Sequence, residues 1–460
     1  MITKLLHQIW NERKQNAWLF LELIVASLFL WLAIDPLYTL ICRKNIPSGC
    51  DISDVYMIEL AQRIPQDTKF NPEYMDNDIA YECHTQVINI IRSLPEVAYH
   101  TITEYAGYPN SYSSSSTVFT ADSLNTVGVS YDNLKQMIDE GKVKVANIKY
   151  WEYISTEGGN YPATFNIKDI HTGEYLMNNE AHYPNGVFIS EKAAMELFGT
   201  TEARGREFRE LFNRGRYRVA GVFKDIPLVQ YEEPWPLIIK NTSINHDHLL
   251  RTINGTTTFL HIRLKEGVNK EDFEKKFHTE VMPKLEIGNF YCNNIISHEN
   301  NRKKYAHMFG ISNMYRLYTG LSAFALFCAF LGLLSSFWIR SAERKCEIGI
   351  MRSLGASRRK IISQFAMEGV LLATVAFMVA MPFIMHHLHI EGFSDPLKVQ
   401  SKMGNMDVAD PAYLHNQQGT HFVVVTAASY LFITIVTLIG AIVPAWRATR
   451  MLPADALRDY

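Results

Sequence analysis

Two stretches of this chain, Leu317 to Ile339 and Phe422 to Trp446, run for more than twenty residues without one charged side chain. As helices, such runs match the thickness of a bilayer's hydrocarbon layer, and cores of water-soluble domains rarely call for them. Two further windows have the same character with interruptions. Ala17 to Ile41 carries Glu22 and Asp35, and Ile362 to Leu388 carries Glu368 and, near its far end, Pro382. A mean hydropathy of −0.07 looks soluble only because the rest of the chain is polar. The chain reads as an α+β membrane protein with four transmembrane helices, one followed by three, and a large mixed α/β domain between the first and second. At 460 residues it has room for roughly two to four structural units. Its 45 basic and 47 acidic residues leave a net charge of −2, which offers no basic stripe to nucleic acid.

Basic residues in short loops mark the cytoplasmic side. Lys4, Arg13 and Lys14 precede the first span. The link between spans two and three holds Arg340, Arg344, Lys345, Arg352, Arg358, Arg359 and Lys360 against Glu343 and Glu347, and the tail holds Arg447, Arg450 and Arg458. The link between spans three and four instead carries Glu391, Asp395, Asp407 and Asp410 against Lys398 and Lys402. An even number of spans puts the three basic segments on one side. The expected layout is a cytoplasmic segment 1–16, span 17–41, an extracytoplasmic domain 42–315, span 316–339, a cytoplasmic link 340–361, span 362–388, an extracytoplasmic loop 389–421, span 422–446 and a cytoplasmic tail 447–460. The first span is read as a retained anchor. Its apolar run is too long for a signal peptide, and Leu32-Ala33-Ile34-Asp35-Pro36 offers no small-residue cleavage site.

Within 42–315, a strand at Asp54–Leu60, a helix at Ile79–Leu94 and a strand at Val97–Tyr105 are followed much later by a strand at Thr257–Leu264, a helix at Asn269–Leu285 and a strand at Phe290–Ser297. That is strand–helix–strand twice, with an inserted subdomain at 117–240. The serine run Tyr112–Ser116 reads as a loop. A helix is expected at Ser190–Phe198, with Ser190 as N-cap and Gly199 closing it. A hairpin is expected from Phe208 to Phe223, turning at Asn213-Arg214-Gly215. Cys50, Cys83 and Cys292 fall in this domain, where disulfides could persist, but their pairing cannot be read from spacing.

Chemical motifs are sparse. No GxxxxGK[ST] loop occurs, so the chain alone should not hydrolyse ATP, and neither GxSxG nor HExxH is present. His386, His387 and His389 cluster at the far end of span three. They are read as lying among lipid headgroups, because no carboxylate or cysteine is patterned with them. His298-Glu299 and His246-Asp247-His248 read as solvated loops. Asn241 and Asn254 begin N-x-[ST] triplets of a kind common by chance. Glu22 and Glu368 sit within about two turns of the expected cytoplasmic boundary, where snorkelling or capping accounts for them.

The link 340–361 is the informative segment. Ile348, Met351 and Leu354 recur at helical spacing, with Arg344, Lys345 and Arg352 on the polar side. Gly355 is placed to end this short helix and Ser357 to cap the next. A short amphipathic helix there can lie on the membrane, pack under the spans or dock into a partner's groove, and the pattern alone leaves these open.

The link's sequence, ERKCEIGIMRSLGASRRKI (343–361), resembles the signature that follows the second span in FtsX-like, MacB-like ABC transporter permeases. The shared positions are Glu343, Arg344, Glu347, Ile348, Gly349, Arg352, Leu354, Gly355, Ala356, Ser357 and Ile361. The family's C-terminal pattern is matched by Pro444, Ala445, Arg447, Ala448, Pro453, Asp455, Ala456, Leu457 and Arg458. FISEKAAMELFG (188–199) and YRVAGVFKDIP (217–227) resemble the family's periplasmic core domain. The resemblance implies a noncatalytic transport subunit of a bacterial inner membrane, with cytoplasmic termini. It would pair with a second permease copy or homologue and recruit a separate ABC ATPase that binds ATP and Mg, leaving this chain without a cofactor or metal. The link helix would transmit closure of the ATPase to the extracytoplasmic domain for efflux or envelope remodelling. Arg344, Glu347, Ile348, Gly349, Met351, Arg352, Leu354 and Gly355 are then the expected coupling residues, with Ile348, Met351 and Leu354 as apolar anchors. Pro444, Arg447, Pro453 and Leu457 are the expected C-terminal motif residues. A periplasmic adaptor or target protein is a further expected partner. The same architecture could instead serve as a scaffold that activates a periplasmic partner without moving a solute, or as a sensor that meets no ATPase.

Overall fold

The computed structural model describes residues 13–103, 107–109, 111, 114–120, 133, 136, 140, 145–155, 157–177, 185–210, 216–228, 233–242, 258–308, 310–396 and 412–450. They form two compact units, 45–308 and, from the two ends of the chain, 1–44 with 309–460.

In the first unit, β1 (Val55–Gln62), α2 (Asn77–Arg92) and β2 (Val97–Thr103) make one strand–helix–strand pair. Asp76 caps α2 by accepting from the backbone N–H groups of Asp78 and Ile79, and Ala80, Cys83, Val87 and Ile91 form its buried stripe. The second pair comprises β9 (Thr258–Leu264), α5 (Lys270–Lys276) and β10 (Phe290–Ser297). The strand order β10-β1-β9-β2 is antiparallel throughout and interleaves the two pairs as a split βαβ sheet. The expected helix 269–285 is α-helical only to Lys276, continuing as a π turn (Phe277–Val281) and a 3-10 turn (Met282–Leu285). Its buried residues Phe273, Phe277, Val281 and Leu285 recur every fourth position. That stripe would drift about 40° per step around a 3.6-residue helix. The wider π turn keeps it on the core, and Pro283 then ends α-helical hydrogen bonding.

Between these pairs lie β3 (Ser114–Thr120), β4 (Val145–Ile154), β5 (Gly186–Ser190), α4 (Glu191–Phe198), β6 (Glu207–Glu210), β7 (Arg216–Phe223) and β8 (Leu237–Thr242). Their order β4-β3-β6-β7-β5-β8 closes on itself, because β8 also pairs in parallel with β4. The result is a six-stranded barrel around Val118, Ile148, Val187, Phe208, Val219 and Ile238. The serine run is therefore partly a strand, not a loop. Ser114 to Ser116 pair with Tyr150, Lys149 and Ile148, since closing the ring satisfies the backbone whatever the side-chain propensity. Ser190 caps α4 by accepting from the Ala193 N–H, and Gly199 ends it in the left-handed region at φ +70°. β6 and β7 pair antiparallel as the expected hairpin; its turn at 213–215 lies outside the described residues.

The second unit holds α1 (Arg13–Lys44), α7 (Ile311–Glu343), α8 (Lys345–Ser353), α9 (Arg358–Glu391) and α10 (Ala412–Ala448). Four of these, α1, α7, α9 and α10, are long and apolar enough to cross a membrane and are called spans 1 to 4 below. Their shared core includes Leu23, Leu30, Leu333, Phe337, Leu372, Phe377, Ile433 and Val436. Ala373, Ala376 and Ala380 on span 3 are fully buried, a stripe of small residues that lets helices approach closely. A Cβ at Gly440 would stand 2.7 Å from Phe337 Cβ, so only glycine fits between spans 2 and 4 there.

At the bundle end where span 1 finishes and span 4 begins, polar groups are buried. Asp35 accepts from the backbone N–H of Ser394 (2.8 Å) and contacts His421 Nε2 (2.7 Å). Arg43 pairs with Asp395, and Thr39 donates to the carbonyl of Ser394 (2.9 Å). Tyr38 and Phe393 pack on the His421 ring.

Candidate functional site

The site grows from the way α8 is fixed between two spans. Span 2 stops at Glu343, Arg344 (φ −91°, ψ 14°) turns the chain, and α8 follows at once. Gly355 at φ +86° ends α8, and the Ala356 N–H donates to the Met351 carbonyl (3.0 Å). Ser357 then accepts from the Lys360 N–H to start span 3. Both joints are tight turns.

Ile348, only 1% exposed, packs against Ile361, Phe365 and Ala445, with Met351, Ala356 and Ala448 at the margin. The two sequence signatures thus meet through Ala445 and Ala448; Pro444 is buried and Arg447 exposed. Pro453 and Leu457 lie outside the described residues. Gly349 is buried, Arg352 half-buried and Gly355 exposed. Of the three expected apolar anchors, Ile348 and Met351 turn into the bundle and serve to seat α8. Leu354, 82% exposed, faces away, and Ile350 is exposed beside it. Ile350, four residues before Leu354, shares its outward face.

An ion cluster ties the seated helix down. Glu368 Oε1 accepts from Arg340 Nη2 (2.6 Å) and Arg344 Nη1 (2.9 Å), and Oε2 accepts from Arg344 Nη1 (2.8 Å). Arg344 Nε donates to Glu347 (2.7 Å), and its guanidinium lies 4.6 Å over the Phe365 ring. Burial disfavours the charge on Arg344, but Glu368 outweighs it and holds the guanidinium pKa above its usual value. Glu368 is only 4% exposed, so it does not snorkel as its position near a span end suggests. It shares a helical face with Ile361, Phe365 and Leu372, and that spacing was the available signal. Glu22 is half-buried, and its Oε2 has no hydrogen-bond partner.

In 45–308 two other polar sites stand out. A small hollow of about 10 Å3 among the barrel strands is lined by Tyr150, Phe208, Glu210, Tyr217, Ile238 and Lys240, among others. Lys240 pairs with Glu152 (2.9 Å) and lies 4.2 Å from the Tyr150 ring centre. Burial works against the Lys240 charge, but Glu152 outweighs it and raises the pKa. Elsewhere, His298 is not in a solvated loop. It begins α6 (His298–Met308), is buried, and faces His261 Nδ1 at 2.9 Å, while His261 Nε2 meets Thr103 Oγ1 at 2.8 Å. Burial pushes His298 down to about 3 and His261 well below the ordinary imidazole range. Tyr108 and Phe165 enclose the pair. The 246–248 cluster and Asn254 lie outside the described residues.

Among the described residues no group of three or more His, Cys, Asp or Glu could hold a metal ion. His386 and His389 are exposed and His387 half-buried. Cys50, Cys83 and Cys292 are free thiols, and burial raises Cys50 to about 12 and Cys292 to about 11.

Among curated proteins, the chain is similar to an uncharacterized ABC transporter permease, YvrN, of Bacillus subtilis (strain 168). The two are 23% identical over 333 residues, 65% of this chain and 70% of the relative. Among solved structures, it is similar to the periplasmic region of MacB from Actinobacillus actinomycetemcomitans (13% identity, 56% of this chain and 94% of that one, TM-score 0.30). It is also similar to the extracellular domain of the noncanonic ABC-type transporter YknZ from Gram-positive bacteria (15% identity, 52% of this chain and 100% of that one, TM-score 0.29). Residues 319–453, which contain α8 and most of spans 2 to 4, match the FtsX-like permease C-terminal family.

Proposed function

We propose that this chain is the noncatalytic, membrane-spanning subunit of an ABC transporter. A separate ATPase docks on α8, and the spans convert its ATP-driven closure into motion of the 45–308 unit. The observation that carries this reading is the seating of α8: one face is locked under the spans through Ile348 and Arg344, while Leu354 and Ile350 face away. A helix fixed to two spans without slack can pass on a displacement, and its exposed apolar tip suits a partner's groove. The basic residues of the link and tail favour the cytoplasmic side for α8 and both termini, in a bacterial inner membrane. A second permease copy or homologue completes the membrane part, and the unit 45–308 meets the substrate, adaptor or target protein. ATP and Mg belong to the partner.

Co-purification of the ATPase with the full-length chain in detergent tests the docking. Wild type is expected to retain the ATPase and Leu354→Asp to lose it. Full retention by Leu354→Asp would remove α8 as the docking helix.

A further inference from the structure

We propose that Glu368 is a positioning residue: its carboxylate fixes α8 to spans 2 and 3, so that the three move as one body at the link end of the bundle. The consequence for transmission rests on the function proposed above; the tie itself does not.

α8 is nine residues long and is flanked by two turns, at Arg344 and at Gly355. A short helix between two joints swings unless something crosses them. The Gly355 joint is held by main-chain bonds, with the Ala356 N–H on the Met351 carbonyl, and by the Ser357 cap. The Arg344 joint is held by side chains. Glu368 gathers the last turn of span 2, through Arg340, and the turn itself, through both carboxylate oxygens on Arg344. Arg344 in turn reaches Glu347 in the first turn of α8.

The apolar seam around Ile348 contributes burial but tolerates sliding, because dispersion contacts are not directional. Charge-assisted bonds from Arg340 Nη2 and Arg344 Nη1 that converge on one carboxylate are directional, and burial strengthens them. Phe365 below Arg344 fixes the guanidinium plane as well. The cluster therefore sets the orientation of α8, where the seam sets only its depth. Removing Glu368 takes away the acceptor that Arg340 and Arg344 share, so span 3 is no longer joined through this cluster to the turn that carries α8.

The test is amide hydrogen exchange on the full-length chain in nanodiscs, with ATPase co-purification run beside it. In Glu368→Gln, exchange in α8 is expected to rise by about tenfold or more, while span 3 amides in 370–385 stay protected. Glu368→Asp, which keeps the charge, is expected to stay within about threefold of wild type. Arg344→Lys keeps the charge but loses the separate nitrogens that reach Glu368 and Glu347; it should also raise α8 exchange, and it serves if Glu368→Gln does not fold. The ATPase is expected to bind Glu368→Gln, since Leu354 and Ile350 are intact, but to lose its stimulation. Unchanged α8 exchange in both Glu368→Gln and Arg344→Lys overturns the proposal, as does equal exchange in Glu368→Gln and Glu368→Asp. If the wild-type chain recruits no ATPase, the function proposed above fails, and the exchange data alone still decide the tie.

Discussion

The span bundle and the 45–308 unit bury polar side chains in opposite ways. In the bundle they are ions held by ions: Glu368 with Arg340 and Arg344 at one end, and Arg43 with Asp395 at the other. In the 45–308 unit three buried imidazoles, at His84, His261 and His298, are kept neutral by burial. Buried ions fix geometry because a stranded partner is so costly. Buried neutral histidines contribute packing and are vulnerable to protons. The bundle is built to hold an orientation, and the 45–308 unit to hold a core.

The two ends of the bundle differ as well. Where span 1 finishes, Arg43, Asp395, His421 and Asp35 are all buried, and the cluster is closed. At the link end the chain of ion pairs runs out to Glu347, whose side chain is 49% exposed, on a helix that also presents Leu354. One cluster is enclosed among the spans, and the other reaches the surface at Glu347.

The largest expected effect would break the contrast between the units. His84, His261 and His298 have folded pKa values depressed below the unfolded value, so the unfolded state binds more protons once pH falls below about 6.5. Stability of the 45–308 unit is full above that pH and is lost on acidification, down towards about 4 for His84 and about 3 for His298. Between pH 7 and 5 His84 and His298 should each cost about 2 kcal/mol. Denaturant titration of a 45–308 fragment at the two pH values checks this, and an unchanged midpoint would mean that the imidazoles are not buried as described.

Next in size is Glu368→Ala, expected to cost the full-length chain about 3 kcal/mol by removing the acceptor that Arg340 and Arg344 share. Thermal unfolding in detergent against wild type measures it. Asp35→Asn in the enclosed cluster should cost less, about 2 kcal/mol, because the asparagine carbonyl can still accept from the Ser394 N–H while the charge facing His421 is lost. Equal losses for the two variants would erase the distinction between the ends. Leu354→Asp, on an exposed tip, should leave the melting temperature unchanged to within about 0.5 kcal/mol of stability.

Local pattern made much of this legible. The spans announce themselves by length and lack of charge. The two strand–helix–strand pairs follow from periodicity, and α4 from Ser190 and Gly199. What escaped depends on residues distant in sequence. The barrel closes through a parallel pairing of Lys149–Ile154 with Leu237–Thr242, which no local signal encodes. It also turned Ser114–Ser116 into a strand. His298 looks solvated beside Glu299 until His261, Tyr108 and Phe165 enclose it. At the candidate site, helical spacing found α8 but not which side of it faces out. Ile348 and Leu354, six residues apart, lie about 120° from each other around a helix, so the first can be seated while the second faces out.

The central claim is that α8 carries mechanical work between an ATPase and the spans. The most direct test is the rate of ATP hydrolysis by the partner ATPase with the full-length chain in nanodiscs, for wild type and Leu354→Asp. A rate changed by wild type and returned to that of the ATPase alone by Leu354→Asp is the expected result. A rate that responds to neither chain, with the protein correctly inserted, would contradict the account.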